Sequence, residues 1–246
     1  PLTGILERIV SSIVKPREDQ MMCEPKYLER RLLETPSIAL EQSKREIIRM
    51  LQIADAALRD SFALFFDEKW EYAQRVSRKE EAVDNLQAEI TRYLIDISMH
   101  PLEEAEAEQI PVLIHSVNDI ERIGDHAENI VELAQRKIDQ KLQLSEEAMR
   151  ELRRMIDTAE EMVAEVCQGL ETGDTAHAHR ALHCEEQLNR MQIDLRHNHV
   201  QRLGAGSCNV LSGLVYLDFV DYLEKIGDHL TNISQGLLSG LRWESD

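Results

Sequence analysis

Glu121, Asp125 and Asn129 stand four residues apart, and Glu224, Asp228 and Asn232 repeat the spacing further along the chain. On a helix, residues four apart share a face, so each set forms a short ledge of oxygen ligands. Two like charges so placed repel by roughly 0.2–0.5 kcal/mol per pair in water. A hard cation reverses that sign, because Mg²⁺, Ca²⁺, Mn²⁺ and iron favour carboxylate oxygen. A lone acidic pair of this spacing is ordinarily a solvated helix face, and this chain is acidic throughout. Repetition in register sets these two apart. Both lie in the string Glu-(Arg/Lys)-Ile-Gly-Asp-His-x-x-Asn-Ile, at 121–130 and 224–233, a shift of 103 residues.

These ledges need helices to carry them. Ile120, Ile123, Ala127, Ile130 and Ala134 recur at spacings of 3 and 4, as do Leu223, Ile226, Leu230, Ile233 and Leu237. Each series is a core-facing stripe well away from the acids. The duplication extends upstream. Arg45-Glu46 with Met50 recurs as Arg150-Glu151 with Met155, and Glu80-Glu81 with Gln87 recurs as Glu185-Glu186 with Gln192, both 105 residues on. The pattern predicts six long helices, over 36–66, 70–99, 103–139, 145–171, 174–203 and 208–240, forming two homologous three-helix units. Thr35 with Pro36 and Ser145 with Glu146-Glu147 read as helix starts, and His100-Pro101, Gly173 and Gly204-Ala205-Gly206 read as stops. Pro111 predicts a kink or break. On the second helix, Glu80 and Asp84 lie at the edge of a stripe of Val76, Val83, Leu86, Ile90 and Leu94. Glu185 and Asn189 take those places on the fifth. Such edge carboxylates either stay solvated or meet the ledges across a groove and complete a cation site. Gly124 and Gly227, between stripe and ledge, leave room for a neighbouring helix or its ligands. His126 and His229 project from both stripe and ledge and read as surface residues. Of His177, His179 and His183, only the last two share a face, with no third ligand at a convincing spacing for zinc.

The two strings, Glu121-Arg-Ile-Gly-Asp-His126 and Glu224-Lys-Ile-Gly-Asp-His229, resemble the signature helices of the PhoU-domain family, and the resemblance covers about residues 36 to 240. It implies an all-α fold of two tandem three-helix bundles, with divalent or trivalent metal ions (iron, zinc, magnesium or similar) clustered on the surface. The implied ligands are Glu121 and Asp125 in one half, and Glu224 and Asp228 in the other. The edge carboxylates Glu80, Asp84 and Glu185 are read as completing these sites from the neighbouring helices, and Asp221, an acid three residues before the second signature Glu where the family often has one, is counted with them. Asn118 and Asn189 depart from the acidic pattern, so the two sites need not hold equal numbers of ions. The stretch Leu32–Gln42 is similar to the junction in bacterial sodium/phosphate cotransporters between a transmembrane domain and a carboxy-terminal PhoU domain. That similarity implies a cytoplasmic regulatory domain of an inner-membrane symport protein, with the phosphate-transport domain as partner. A free-standing PhoU regulator of a phosphate ABC transporter is the alternative. Direct phosphate binding and homodimerisation stay open.

Composition narrows the field. The chain has 246 residues, 43% hydrophobic but only 4% aromatic, which favours helix over sheet. Its formal net charge of −18 repels nucleic acid and anionic lipid. No apolar run reaches the length of a membrane span. Cys23, Cys167, Cys184 and Cys208 form no Cys-x-x-Cys pair and read as reduced, buried thiols. No Glu has a His three residues on, which excludes the ferritin-like di-iron motif, and no phosphate-cradling glycine loop is present. A non-enzymatic protein is therefore expected. Residues 1–33 differ from the rest, with six Lys/Arg against five acids and an amphipathic run from Leu2 to Val14. They read as an amino-terminal helical segment and linker, followed by repeats at 34–142 and 143–246. That segment either packs on the bundle or runs out from a membrane domain, and the start at Pro1 suits a tail of a longer protein.

Overall fold

The computed structural model describes residues 22–206 and 208–240. A 3-10 turn, Arg30–Glu34, leads into α1 (Pro36–Asp67), α2 (Glu71–Ser98), α3 (Glu104–Asp139), α4 (Glu146–Thr172), α5 (Thr175–Gly204) and α6 (Val210–Leu238). The amphipathic run Leu2–Val14 lies outside the described residues.

Local chemistry explains most of the boundaries. Ser145 accepts from Ala148 N at 3.2 Å, Asp174 from Ala176 N at 2.9 Å and Asn209 from Leu211 N at 2.8 Å, so α4, α5 and α6 each start on a side-chain cap. Gly173, at φ 70°, closes α4 in the left-handed conformation that glycine adopts without strain. Thr35 occupies the capping position of α1 but its side chain makes no capping bond; Pro36, lacking an N–H, leaves one donor fewer to satisfy. The reciprocal capping box sits instead at Glu103 and Glu106, opening α3. Pro111 does not break α3, which is helical from Glu104 to Asp139. Buried Ile110, Val112 and Leu113 anchor the chain on both sides of it, and tertiary packing outweighs one lost backbone bond.

Helices α1–α3 pack on one another, as do α4–α6, and the halves join mainly through α3 and α6. These two run antiparallel: Val112 lies by Gly236, His126 by Tyr222, and Arg136 by Asp218. At the junction the ring of Phe219 of α6 packs tilted against Phe65 of α1, centroids 4.6 Å apart, with Phe62 at 6.0 Å. Three of the chain's four phenylalanines are thus spent on one inter-half cluster.

A second pair of equivalent acids lies buried inside the bundles. Glu46 is fully buried and accepts the backbone N–H groups of Lys26 and Tyr27, each at 2.7 Å, while Arg49 grips Glu46 and the carbonyls of Met22 and Glu24. The segment before α1 is therefore a strap tied to the first half. Glu151, its counterpart, is bound by Tyr216 Oη at 2.6 Å, Asn198 at 2.8 Å and Arg202 at 2.9 Å. A buried carboxylate must be paired, and each half does it with different groups.

Candidate metal centre

In the first half α2 and α3 meet closely because Gly124 has no side chain. A Cβ there would lie 3.2 Å from Val83 Cγ1. This approach draws Glu80 and Asp84 of α2 up to Asp125 of α3, and each of the three offers a carboxylate oxygen within 4.8 Å of the others. Glu121 and Glu128 of α3 flank the group. Burial and then the charge of Glu128, followed by Asp84 and Asp125, push the Glu80 carboxyl up to about 7, with a hydrogen bond to Asp84 adding to the effect. Glu121 is raised by burial and then by Asp125, against the pull of Arg122. Glu128 is raised by burial and by Asp125 and Asp84. Arg122 is the local counter-charge, 2.9 Å from Asp125 and 3.5 Å from Glu121.

This donor set fits a cation. It is all oxygen, it is short of positive charge, and the raised Glu80 carboxyl would yield a proton to an incoming ion below about pH 7. All-oxygen ligation suits magnesium, manganese, calcium or iron better than zinc, which favours nitrogen and sulfur.

The second half repeats the scaffold with other side chains. Gly227 admits Leu188 as Gly124 admits Val83, with a built Cβ 2.9 Å from Leu188 Cδ1. Glu185 on α5 is engaged by the amide of Asn189, the residue in the place of Asp84. Asp221 is held by Arg196 at 2.5 Å and reached by Gln192 at 3.5 Å. Glu224 is raised by burial, then by Asp228 and Asp221, with Arg196 and Lys225 opposing. Among the described residues, three acidic groups converge within 4.8 Å only in the first half. Glu80, Asp84 and Asp125 are thus brought together with Glu121 alongside, whereas Glu185, Asp221, Glu224 and Asp228 share a face without such convergence.

Two features escaped the sequence reading. Glu128 acts on the first ledge, and its counterpart is Thr231; the signal was its place three residues after Asp125, one turn along. The signature histidines are half-buried rather than fully solvated. His229 Nδ1 lies 2.8 Å from Asp119 Oδ1, and Asn232 donates to the same oxygen at 3.0 Å. The His126 ring lies 5.6 Å from both His229 and Tyr222. Burial, then the charge of His229, lowers His126 to about 4, so it is neutral at pH 7. The histidines line the α3–α6 seam between the halves. His177 is tied to Glu165 at 2.7 Å, and His183 is exposed beside Glu186. None of the four cysteines is in a disulfide among the described residues, and of the four only Cys184 is buried.

A family model described as the PhoU domain matches residues 47–134 and 152–237, once per half. The chain is 25% identical over 197 residues to the phosphate-specific transport system accessory protein PhoU homolog 1 of Thermotoga maritima, covering 79% of this chain and 84% of that one. It is 30% identical over 96 residues to the homolog of Aquifex aeolicus, covering 39% and 43%. Among solved structures it resembles the phosphate transport system regulatory protein PhoU from Streptococcus pneumoniae, at a TM-score of 0.75 and 18% identity over 86% of this chain and all of that one. It also resembles PhoU from Pseudomonas aeruginosa, at 0.76 and 20% over 82% and 97%.

Proposed function

This chain belongs to the PhoU family, and from that premise we propose that it is a regulatory partner of a phosphate-transport system whose working sites are cations held on its two acidic ledges. Like its family it is not an enzyme. In the first ledge Glu80, Asp84, Glu121 and Asp125 are the ligands; in the second, Glu185, Glu224 and Asp228 are, with Asp221 at the margin. The ions are hard and oxygen-loving, so manganese, magnesium or iron precedes zinc. Multivalent cations turn an acidic face into one that attracts anions, which gives the ledges a way to meet phosphate or an acidic loop of a transporter. The observation that carries this reading is the convergence of Glu80, Asp84 and Asp125 from two helices onto one volume.

The relatives named above are accessory proteins of phosphate-specific transport systems, which supports a stand-alone cytoplasmic regulator first. The cotransporter-domain reading stands second, supported by the Leu32–Gln42 junction and the positive balance of residues 1–33. The coding frame upstream of Pro1 separates the two: several hydrophobic spans there would favour the cotransporter. No helix among the described residues is long and apolar enough to cross a membrane.

The metal half of the proposal is tested by elemental analysis of purified protein with and without Glu121→Gln/Asp125→Asn. Loss of bound ion in the double variant is the expected result, and unchanged metal content would remove the reading.

A further inference from the structure

We propose that Arg196 is the resident cation of the second ledge and sets how many metal ions that ledge accepts. This rests on the metal-binding reading above. Arg196 Nη2 lies 2.5 Å from Asp221 Oδ1, and its field also reaches Glu224. The matching residues in the first half are Thr91 and Asn118, at the same shifts of 105 and 103 that relate the rest of the repeat. The surrounding frame is preserved: Gln87 reaches Asn118 at 3.0 Å as Gln192 reaches Asp221 at 3.5 Å. The hydroxyl of Thr91 is shielded from solvent and has no hydrogen-bond partner. Between the halves, then, α6 carries one acid more at this place and α5 one guanidinium more opposite it.

That exchange is balanced in charge but not in chemistry. A carboxylate gripped by a guanidinium has one oxygen committed, and the arginine stays charged at every accessible pH. A fixed positive charge a few ångströms from an incoming divalent ion disfavours it by about tenfold or more at the effective dielectric of a protein surface. The side chain of Arg196 is 51% exposed, so replacing it spares the core.

The test is equilibrium dialysis of the full chain against Mn²⁺ with bound ions counted by elemental analysis. Four proteins are compared: wild type, Arg196→Thr, Arg196→Lys, and Arg196→Thr with the first ledge disabled by Asp84→Asn/Asp125→Asn. Arg196→Thr is expected to bind at least one more ion per chain, or the same ions about tenfold tighter. The gain should persist when the first ledge is disabled, and Arg196→Lys should keep the wild-type count. An unchanged isotherm for Arg196→Thr, with the first ledge loading normally, overturns the proposal and leaves the metal reading standing. Absence of Mn²⁺ from all four proteins overturns both.

Discussion

The two halves hold their acids on the same scaffold and answer them to different degrees. Around the first ledge stand Glu80, Asp84, Glu121, Asp125 and Glu128, with Arg122 as the counter-charge bonded to them. Around the second stand Glu185, Asp221, Glu224 and Asp228, with Asn189, Arg196 and Gln192 bonded to them. One half leaves its carboxylates facing one another, so that burial and mutual repulsion raise Glu80 and its neighbours. The other answers Glu185 and Asp221 from within the chain, although burial, Asp228 and Asp221 still raise Glu224. The difference teaches that a duplicated motif is not a duplicated site, because residues one or two turns outside the motif decide whether its charge is already spent.

The largest effect that would break the comparison is loss of one of the acids proposed as first-ledge ligands. Asp84→Asn or Asp125→Asn should weaken Mn²⁺ binding roughly 100-fold, since ligand charge count tunes such sites over orders of magnitude. Asp228→Asn should cost the second ledge roughly tenfold. Isothermal titration of both series would erase the distinction if the two losses were equal.

Next in size is the pH response of cation-free protein. Glu80 ionises near pH 4.5 when unfolded and near 7 when folded. Between those values the folded state binds more protons, so stability falls as pH rises through the window. Glu80→Gln should remove that slope and raise stability above pH 7 by about 1–2 kcal/mol, after discounting for solvent screening. Saturating Mn²⁺ should reverse the trend by displacing the proton, with proton release on binding near neutral pH. Urea unfolding at several pH values reads this directly, and an unchanged slope in the variant would clear Glu80 of the role.

The seam offers a similar or smaller effect. Asp119→Asn should cost about 1–1.5 kcal/mol of stability, because Asp119 accepts from both His229 and Asn232 across the halves. Its counterpart is Tyr222, so no equal loss can be made from the other side. Smallest is a contrast between glycines. At Gly124 a methyl group would press on Val83, which is branched at Cβ and stiff. At Gly227 it would meet the far end of Leu188, which can swing away. Gly124→Ala should therefore be destabilising by about 1 kcal/mol and Gly227→Ala near neutral, once the helix preference of alanine is counted. Thermal melts of the pair in parallel decide it.

Much of the fold was legible because helix periodicity and caps are local. The spans around Ser145, Gly173 and His100-Pro101 needed only near neighbours in sequence. Pro111 does not produce the break its type allows, because its effect is local while the packing of Ile110 and Leu113 that overrides it is not. The seam contacts of His126 and His229 were missed for a geometric reason. Dividing a signature helix into a core stripe and an acidic ledge leaves its third face unassigned, and in α3 and α6 that face is where the halves meet. The two departures at Asn118 and Asn189 did point to unequal ledges. The pairing of Asp221 with Arg196 was hidden, because a contact between α5 and α6 depends on the register of two helices rather than on either alone.

The aromatic junction has a consequence for how the chain is made. Phe62 and Phe65 leave the ribosome long before Phe219 exists, and Asp119 precedes His229 by 110 residues. At ordinary rates of translation the gap lasts roughly 5–30 s. Throughout it the nascent first half presents a bare phenylalanine face, open to the equivalent α6 of another molecule. The first half must therefore wait for its own α6 before that aromatic face is covered.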